Sequence, residues 1–128
     1  MHRFIIPDVI QEHPVQTLKG GDSAFLAANT MKESNIAAVL IIDDDGKLQG
    51  IVTERDLTRR IIAAGLDPSK TPLADIMTAN PNTLDPSDSV RDAMKVMRKG
   101  RLRHLPVKKG NKIIGMVSIR DLFAAIQA

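Results

Sequence analysis

The sequence predicts a mixed α/β (α+β) protein built from two copies of one β-α-β-β-α unit related by a pseudo-twofold axis, and three observations lead there. The stretch Gly50-Ile51-Val52-Thr53-Glu54-Arg55-Asp56-Leu57 returns 65 residues later as Gly115-Met116-Val117-Ser118-Ile119-Arg120-Asp121-Leu122. Upstream, Thr17-Leu18, Asp22-Ser23, Ala27 and Met31 return at a spacing of 66 as Thr83-Leu84, Asp88-Ser89, Ala93 and Met97. The change of offset falls in the Asp43 to Lys47 turn. Registers inside strands and helices are kept while loops absorb length changes, so this is a duplicated structural unit.

Each repeat opens on a short lead-in, Asp8-Val9-Ile10 in the first and Asp75-Ile76-Met77 in the second. In the first repeat Asp22 or Ser23 caps a helix whose apolar face is supplied by Phe25, Leu26, Met31 and the alanines. The branched apolar run Ile36 to Ile42 reads as a strand, Asp43-Asp44-Asp45-Gly46 as a turn, and Leu48 to Val52 as the next strand. Thr53 opens a helix carrying Leu57, Ile61 and Ile62, and Gly65 stops it. The second repeat gives a helix from Asp88 to about Lys99, strands at Leu105 to Val107 and Ile113 to Val117, and a last helix through Ile126. The resulting division is a first repeat over 8–64, a structured linker over 65–73 and a second repeat over 74–128.

A chain of 128 residues suits one compact module. Repeats of about sixty residues are marginal alone, so the two are expected to share one core. The apolar run at Phe4-Ile5-Ile6 is too short for a signal peptide, and no stretch is long enough for a membrane span; a cytoplasmic protein without membrane contact is expected. The absence of cysteine excludes a disulfide framework, a thiol nucleophile and cysteine-ligated metal. Three aromatic residues, Phe4, Phe25 and Phe123, are too few for the stacking platforms of single-stranded nucleic-acid binders, so nucleic acid is not the expected partner.

Charge is uneven. Residues 1–66 carry a balance of −2 and residues 67–128 a balance of +5, within a net +3. From Lys95 to Lys112 eight cations (Lys95, Arg98, Lys99, Arg101, Arg103, Lys108, Lys109 and Lys112) meet no acidic residue. This segment is either a solvated helix face with a hairpin turn or a docking surface for an anionic partner. The three aspartates at 43–45 lack the alternating ligands and distal Glu of a calcium loop and read as a solvated turn. His2 and His13 show no ligand spacing, and no metal site is expected.

In Gly-x-Val-Thr/Ser-x-Arg-Asp a strand ends at a hydroxyl residue that starts a helix, and a carboxylate follows three positions on. The pattern is a capping box: the hydroxyl takes an orphan N–H and Asp bonds back. It is equally a nucleotide-binding pattern, because a helix start offers N–H groups to phosphate while the carboxylate accepts ribose hydroxyls. Both readings stand on local grounds. No P-loop, nucleophile elbow or paired histidines occur, so no catalytic residue and no enzyme is expected.

These two stretches, together with Asp75-Ile76-Met77-Thr78, the Asp-Ser helix starts and Arg103-His104-Leu105-Pro106-Val107, resemble the CBS (cystathionine beta-synthase) domain family in its tandem form over nearly all of residues 8 to 128. The resemblance implies a stand-alone CBS pair with two clefts that bind adenosine ligands such as AMP, ADP, ATP, NAD or S-adenosylmethionine, and that senses rather than catalyses. Carried over by position, Asp56 and Asp121 hold ribose hydroxyls, Thr53 and Ser118 contact phosphate or ribose, and Ile51 and Met116 flank the adenine. Each cleft draws on both repeats: the lead-in from Val9 to Thr17 faces Ser118 and Asp121, and the segment containing Met77, Thr78 and Thr83 faces Thr53 and Asp56. Arg103 and His104 match positions that place a cation near phosphate. The first repeat has Ala37 and Ala38 there, so unequal affinities are expected. Arg55 and Arg120 face phosphate or the helix surface.

The family further implies homodimerisation through the helices and a separate target protein that reads ligand occupancy. The competing expectation is a scaffold with unused clefts that docks acidic protein or nucleic acid on the Lys95 to Lys112 face.

Overall fold

The protein is described here by a computed structural model covering residues 3–127; His2, read above as lacking ligand spacing, lies outside the described residues. The chain divides into two compact units. One is the continuous stretch Gln16–Pro81, and the other joins the chain up to Val15 to the chain from Asn82 onward.

The continuous unit holds a four-stranded sheet in the order β1 (Thr17–Lys19), β2 (Ala38–Ile42), β3 (Leu48–Thr53), β4 (Thr78–Ala79). β1 runs parallel to β2, and the other pairs are antiparallel. β2 is the central apolar run, buried from Ala38 through Ile41, as expected of a strand paired on both sides. Helix α1 (Ala24–Ser34) starts where the Ser23 hydroxyl accepts the Leu26 N–H at 3.1 Å, and it ends at Asn35 in the left-handed region.

Ala24, Ala27 and Met31 recur at helical spacing and are the buried face of α1. Phe25 and Leu26, expected on that face, are instead 51% and 40% exposed, because successive residues turn about 100° away from the buried stripe. The same rule separates Ile61, which is buried, from Ile62, which is 71% exposed. Helix α2 (Glu54–Leu57) passes into a π-helical turn over Thr58–Ile62, and Gly65 at φ +71° closes it.

The second unit carries α3 (Val90–Gly100), β5 (His104–Lys109), β6 (Lys112–Ser118) and α4 (Ile119–Gln127). Its first strand, expected by analogy with β1, is reduced to one parallel bridge between Leu84 and Val107. Leu84 donates to Pro106 and accepts from Lys108, but Pro86 has no N–H, and the Asp85 carboxylate turns the chain by taking the Ser87 N–H at 2.9 Å.

Buried apolar side chains form two clusters, one within each unit. Ala24, Ala27, Met31, Val39, Ile41, Val52, Ile61, Leu73 and Ile76 make one; Ile5, Leu84, Ala93, Met97, Leu105, Val107, Ile114, Val117 and Leu122 make the other. Each hairpin with its helices is completed by chain from outside the duplicated signature, Leu73 and Ile76 in the first and Ile5 in the second. A two-stranded hairpin is not stable without such cover.

The duplication reaches the backbone detail. In the first hairpin Leu40 pairs with Ile51 and Ile41 with Gly50 before the register slips at Ile42. In the second, Pro106 pairs with Met116 and Val107 with Gly115 before the register slips at Lys108. The bulge follows the residue opposite the glycine in both repeats.

Candidate functional site

Both signatures form the same strand-to-helix turn. At the end of β3 the Thr53 N–H donates to Asp56 Oδ2 at 2.9 Å, and the Asp56 N–H donates to Thr53 Oγ1 at 3.2 Å; the Thr53 hydroxyl also donates to Asp56 Oδ2 at 3.1 Å. At the end of β6 the Ser118 N–H donates to Asp121 Oδ2 at 2.7 Å, and the Asp121 N–H donates to Ser118 Oγ at 3.1 Å. The capping reading of the motif is therefore realised twice. In each bonded pair one carboxylate oxygen is taken by the cap, and the other remains an acceptor of the kind a vicinal diol requires.

The two remaining oxygens meet different surroundings. Asp56 Oδ1 lies 3.7 Å from Arg60 Nε, and Arg60 donates to the Ile76 carbonyl at 2.8 Å, which ties the π-helical turn after α2 to the following lead-in. The residue at Arg60's place in the second repeat is Ala125. Neither arginine of the signature is buried: Arg55 and Arg120 are exposed on their helices.

The cross-strand neighbours follow from register. Ala38 stands opposite Thr53, and the Ala37 carbonyl accepts the Glu54 N–H at 2.9 Å. His104 stands opposite Ser118, and the Arg103 carbonyl accepts the Ile119 N–H at 2.9 Å. Ala37 and Arg103 are thus structurally equivalent: the second turn carries a cation at this position, whereas the cation beside the first turn is Arg60, 3.7 Å from Asp56 Oδ1.

A lead-in segment covers each glycine. A Cβ on Gly50 would stand 2.5 Å from the Met77 sulfur and 3.0 Å from the Thr78 carbonyl oxygen, so only glycine admits the chain there. Thr78 pairs with Ile51. A Cβ on Gly115 would stand 3.2 Å from His13 Cε1 and 3.2 Å from Ile10 Cδ1. Met77 and Thr78 thus lie beside Gly50 and Ile51, while Ile10 and His13 lie beside Gly115 and Met116. Thr17 begins β1 in the continuous unit, and Thr83 precedes the Leu84 bridge in the other.

Two residues at these turns, Arg60 and His13, are not among those expected to contact ligand. His13 carried a visible sign, because His13-Pro14 aligns with Asn80-Pro81 once the lead-ins are matched. The cations from Lys95 to Lys112 are exposed on α3, after it and at the β5–β6 turn, except that Lys108 is half-buried. Among the described residues no group of three or more His, Asp or Glu side chains is placed to hold a metal ion, and no helix is long and apolar enough to cross a membrane.

Comparison with known proteins gives a consistent result. The family described as CBS domain matches residues 8–63 and 73–128. The chain is 38% identical over 109 residues to the CBS domain-containing protein CBSX3, mitochondrial, of Arabidopsis thaliana, covering 82% of this chain but only 53% of that protein. It is 32% identical over 108 residues to the CBS domain-containing protein YhcV of Bacillus subtilis, covering 84% of this chain and 76% of that one. Among solved structures, the CBS-domain containing protein ATU1752 from Agrobacterium tumefaciens superposes with a TM-score of 0.84 at 31% identity, over 91% of this chain and 86% of that one.

Proposed function

This chain belongs to the CBS domain family, and on that premise we propose that it is a regulatory module that binds adenosine-containing ligands at its two strand-to-helix turns and passes occupancy on to a separate protein. The observation that carries this reading is the repeated bonding of Thr53 with Asp56 and Ser118 with Asp121, each beside a glycine strand covered by a lead-in. A nucleotide needs an acceptor for ribose hydroxyls, donors for phosphate and an apolar flank for the base. Asp56 and Asp121 supply the first, the Ser118 hydroxyl and, on turning from Asp56, the Thr53 hydroxyl the second, and Ile51 and Met116 the third. Met77, Thr78, Thr83 and Thr17 complete the ligand-contacting set.

Arg103 and His104 strengthen the second site for phosphate, because a charge-assisted bond exceeds the neutral contacts that Ala37 offers in the first. Regulation follows only if ligand binds two states of the protein unequally. The proposal includes a non-catalytic role in the cytoplasm and a homodimer formed through the exposed apolar positions Phe25, Leu26 and Ile62 of one unit and Phe123 and Ile126 of the other. Calorimetric titration of AMP, ATP, NAD and S-adenosylmethionine tests it: binding of at least one supports the reading, and no heat from any of them rejects it.

A second reading is favoured by the shared exposure of Lys95, Arg98, Lys99, Arg101, Lys109 and Lys112, which suits an acidic partner. Binding of that kind weakens steeply with salt.

A further inference from the structure

The two lead-ins reach equivalent places and then cover their glycine strands differently. The His13 N–H donates to the Ile114 carbonyl at 3.0 Å, and the Asn80 N–H donates to the Gln49 carbonyl at 3.0 Å. Each acceptor is the residue before the repeat's glycine. In the continuous unit the chain before Asn80 is strand β4, so main-chain groups of Thr78 and Ala79 pair with Ile51 and Gly50. In the other unit β6 pairs with β5 alone among the described strands, and at Met116 a side chain takes the place of a strand.

That side chain is the His13 imidazole. The Met116 N–H donates to Nε2 at 3.4 Å, and Nδ1 lies 3.0 Å from the Gln11 carbonyl. A carbonyl only accepts, so Nδ1 carries the proton and Nε2 is the acceptor. The ring lies over Gly115, where a Cβ would stand 3.2 Å from its Cε1. His13 is also exposed.

We propose that His13 is a built-in occupant of the base subsite at the Ser118–Asp121 turn, a heteroaromatic ring that an incoming 6-aminopurine replaces. The inference rests on the adenosine-ligand reading above and adds to it a residue of the chain that competes with the base for its place. The imidazole is flat, offers one acceptor to a backbone N–H and one donor to a backbone carbonyl, and sits beside Met116, the residue assigned to the flank of the base. A 6-aminopurine presents the same pair, a ring-nitrogen acceptor beside an exocyclic amine donor. The imidazole can leave by rotation about its two side-chain bonds, giving up one long hydrogen bond and one ordinary one. Strand β4 cannot leave the first site without unpairing main chain. His13 therefore lowers the affinity of one site and makes the two sites unequal.

The test is calorimetric titration of AMP into the full chain carrying Asp56→Ala, which leaves the Asp121-dependent site, with and without His13→Ala. Removing the imidazole is expected to tighten AMP binding roughly three- to tenfold, the range of one net hydrogen bond. AMP binding that is unchanged or weaker without His13 overturns the proposal while leaving the adenosine reading in place. Absence of AMP binding even in the unsubstituted chain overturns both. A readout without ligand accompanies it: amide hydrogen exchange at Met116 is expected to accelerate in His13→Ala while Ile51 is unaffected, and no change at Met116 contradicts the proposed contact.

Discussion

Asp121 and Asp92 hold their helix starts in the same way: Asp121 Oδ2 accepts the Ser118 N–H at 2.7 Å, and Asp92 Oδ2 accepts the Ser89 N–H at 3.0 Å. Only Asp121 follows a glycine-bearing hairpin strand with a lead-in laid over it. Asp92 is therefore a control that shares the capping role and lacks the site.

Asp121→Ala is expected to lower unfolding free energy by about 1 kcal/mol, as loss of a helix cap does, and also to weaken AMP binding. Asp92→Ala is expected to lower stability and leave AMP affinity within experimental error. Urea unfolding read beside calorimetry separates the two effects; equal AMP affinity in both variants would reduce Asp121 to a cap.

Gly50→Ala is expected to destabilise the protein more than Gly115→Ala. The added methyl meets the Met77 sulfur and the Thr78 carbonyl oxygen in the first case, and the movable His13 and Ile10 side chains at 3.2 Å in the second. Overpacking against backbone costs about 1–3 kcal/mol. Thermal unfolding of the two variants gives the order.

Arg103→Ala is expected to weaken AMP roughly tenfold or more at the Asp121 site and to leave adenosine binding unchanged, because the lost interaction is with phosphate. An equal loss for both ligands would place Arg103 in a structural role.

Acid stability carries a signature of the third cap. The Ser89 backbone N–H, with its hydroxyl, holds the Asp92 carboxyl below its ordinary range, and the Ser87 hydroxyl and N–H do the same for Asp85. A folded-state value below the unfolded one means the fold favours the ionised form. This stabilisation is present above the unfolded carboxylate value near pH 4 and is lost as pH falls through the lower folded-state value. Asp92→Asn is expected to flatten that acid slope in urea midpoints measured between about pH 5 and pH 2.

The hairpins and helix starts were legible because their causes are local. Ser23 and Ser89 cap where the Asp-Ser pairs stand, and the two Gly-x-Val-Thr/Ser stretches end strands and open helices. What the sequence concealed depends on the path of the chain. Phe25 and Leu26 look like core until the phase of α1 assigns the buried stripe to Ala24, Ala27 and Met31. The missing first strand of the second repeat turns on Pro86, and the places of Ile5 and Ile76 in the two clusters depend on chain outside the duplicated signature. At the candidate site the Thr53–Asp56 and Ser118–Asp121 pairs are three residues apart and could be read directly. His13 and Met116 are separated by 103 residues, and only the matched His-Pro and Asn-Pro pairs hinted at their meeting.

The central claim, that the two hydroxyl–carboxylate turns bind adenosine ligand, is tested most directly by titrating AMP into the unsubstituted protein and into the Asp56→Ala, Asp121→Ala double variant. The expected result is binding on the order of micromolar affinity in the first and none in the second. Affinity in a folded double variant equal to that of the unsubstituted protein would contradict the assignment.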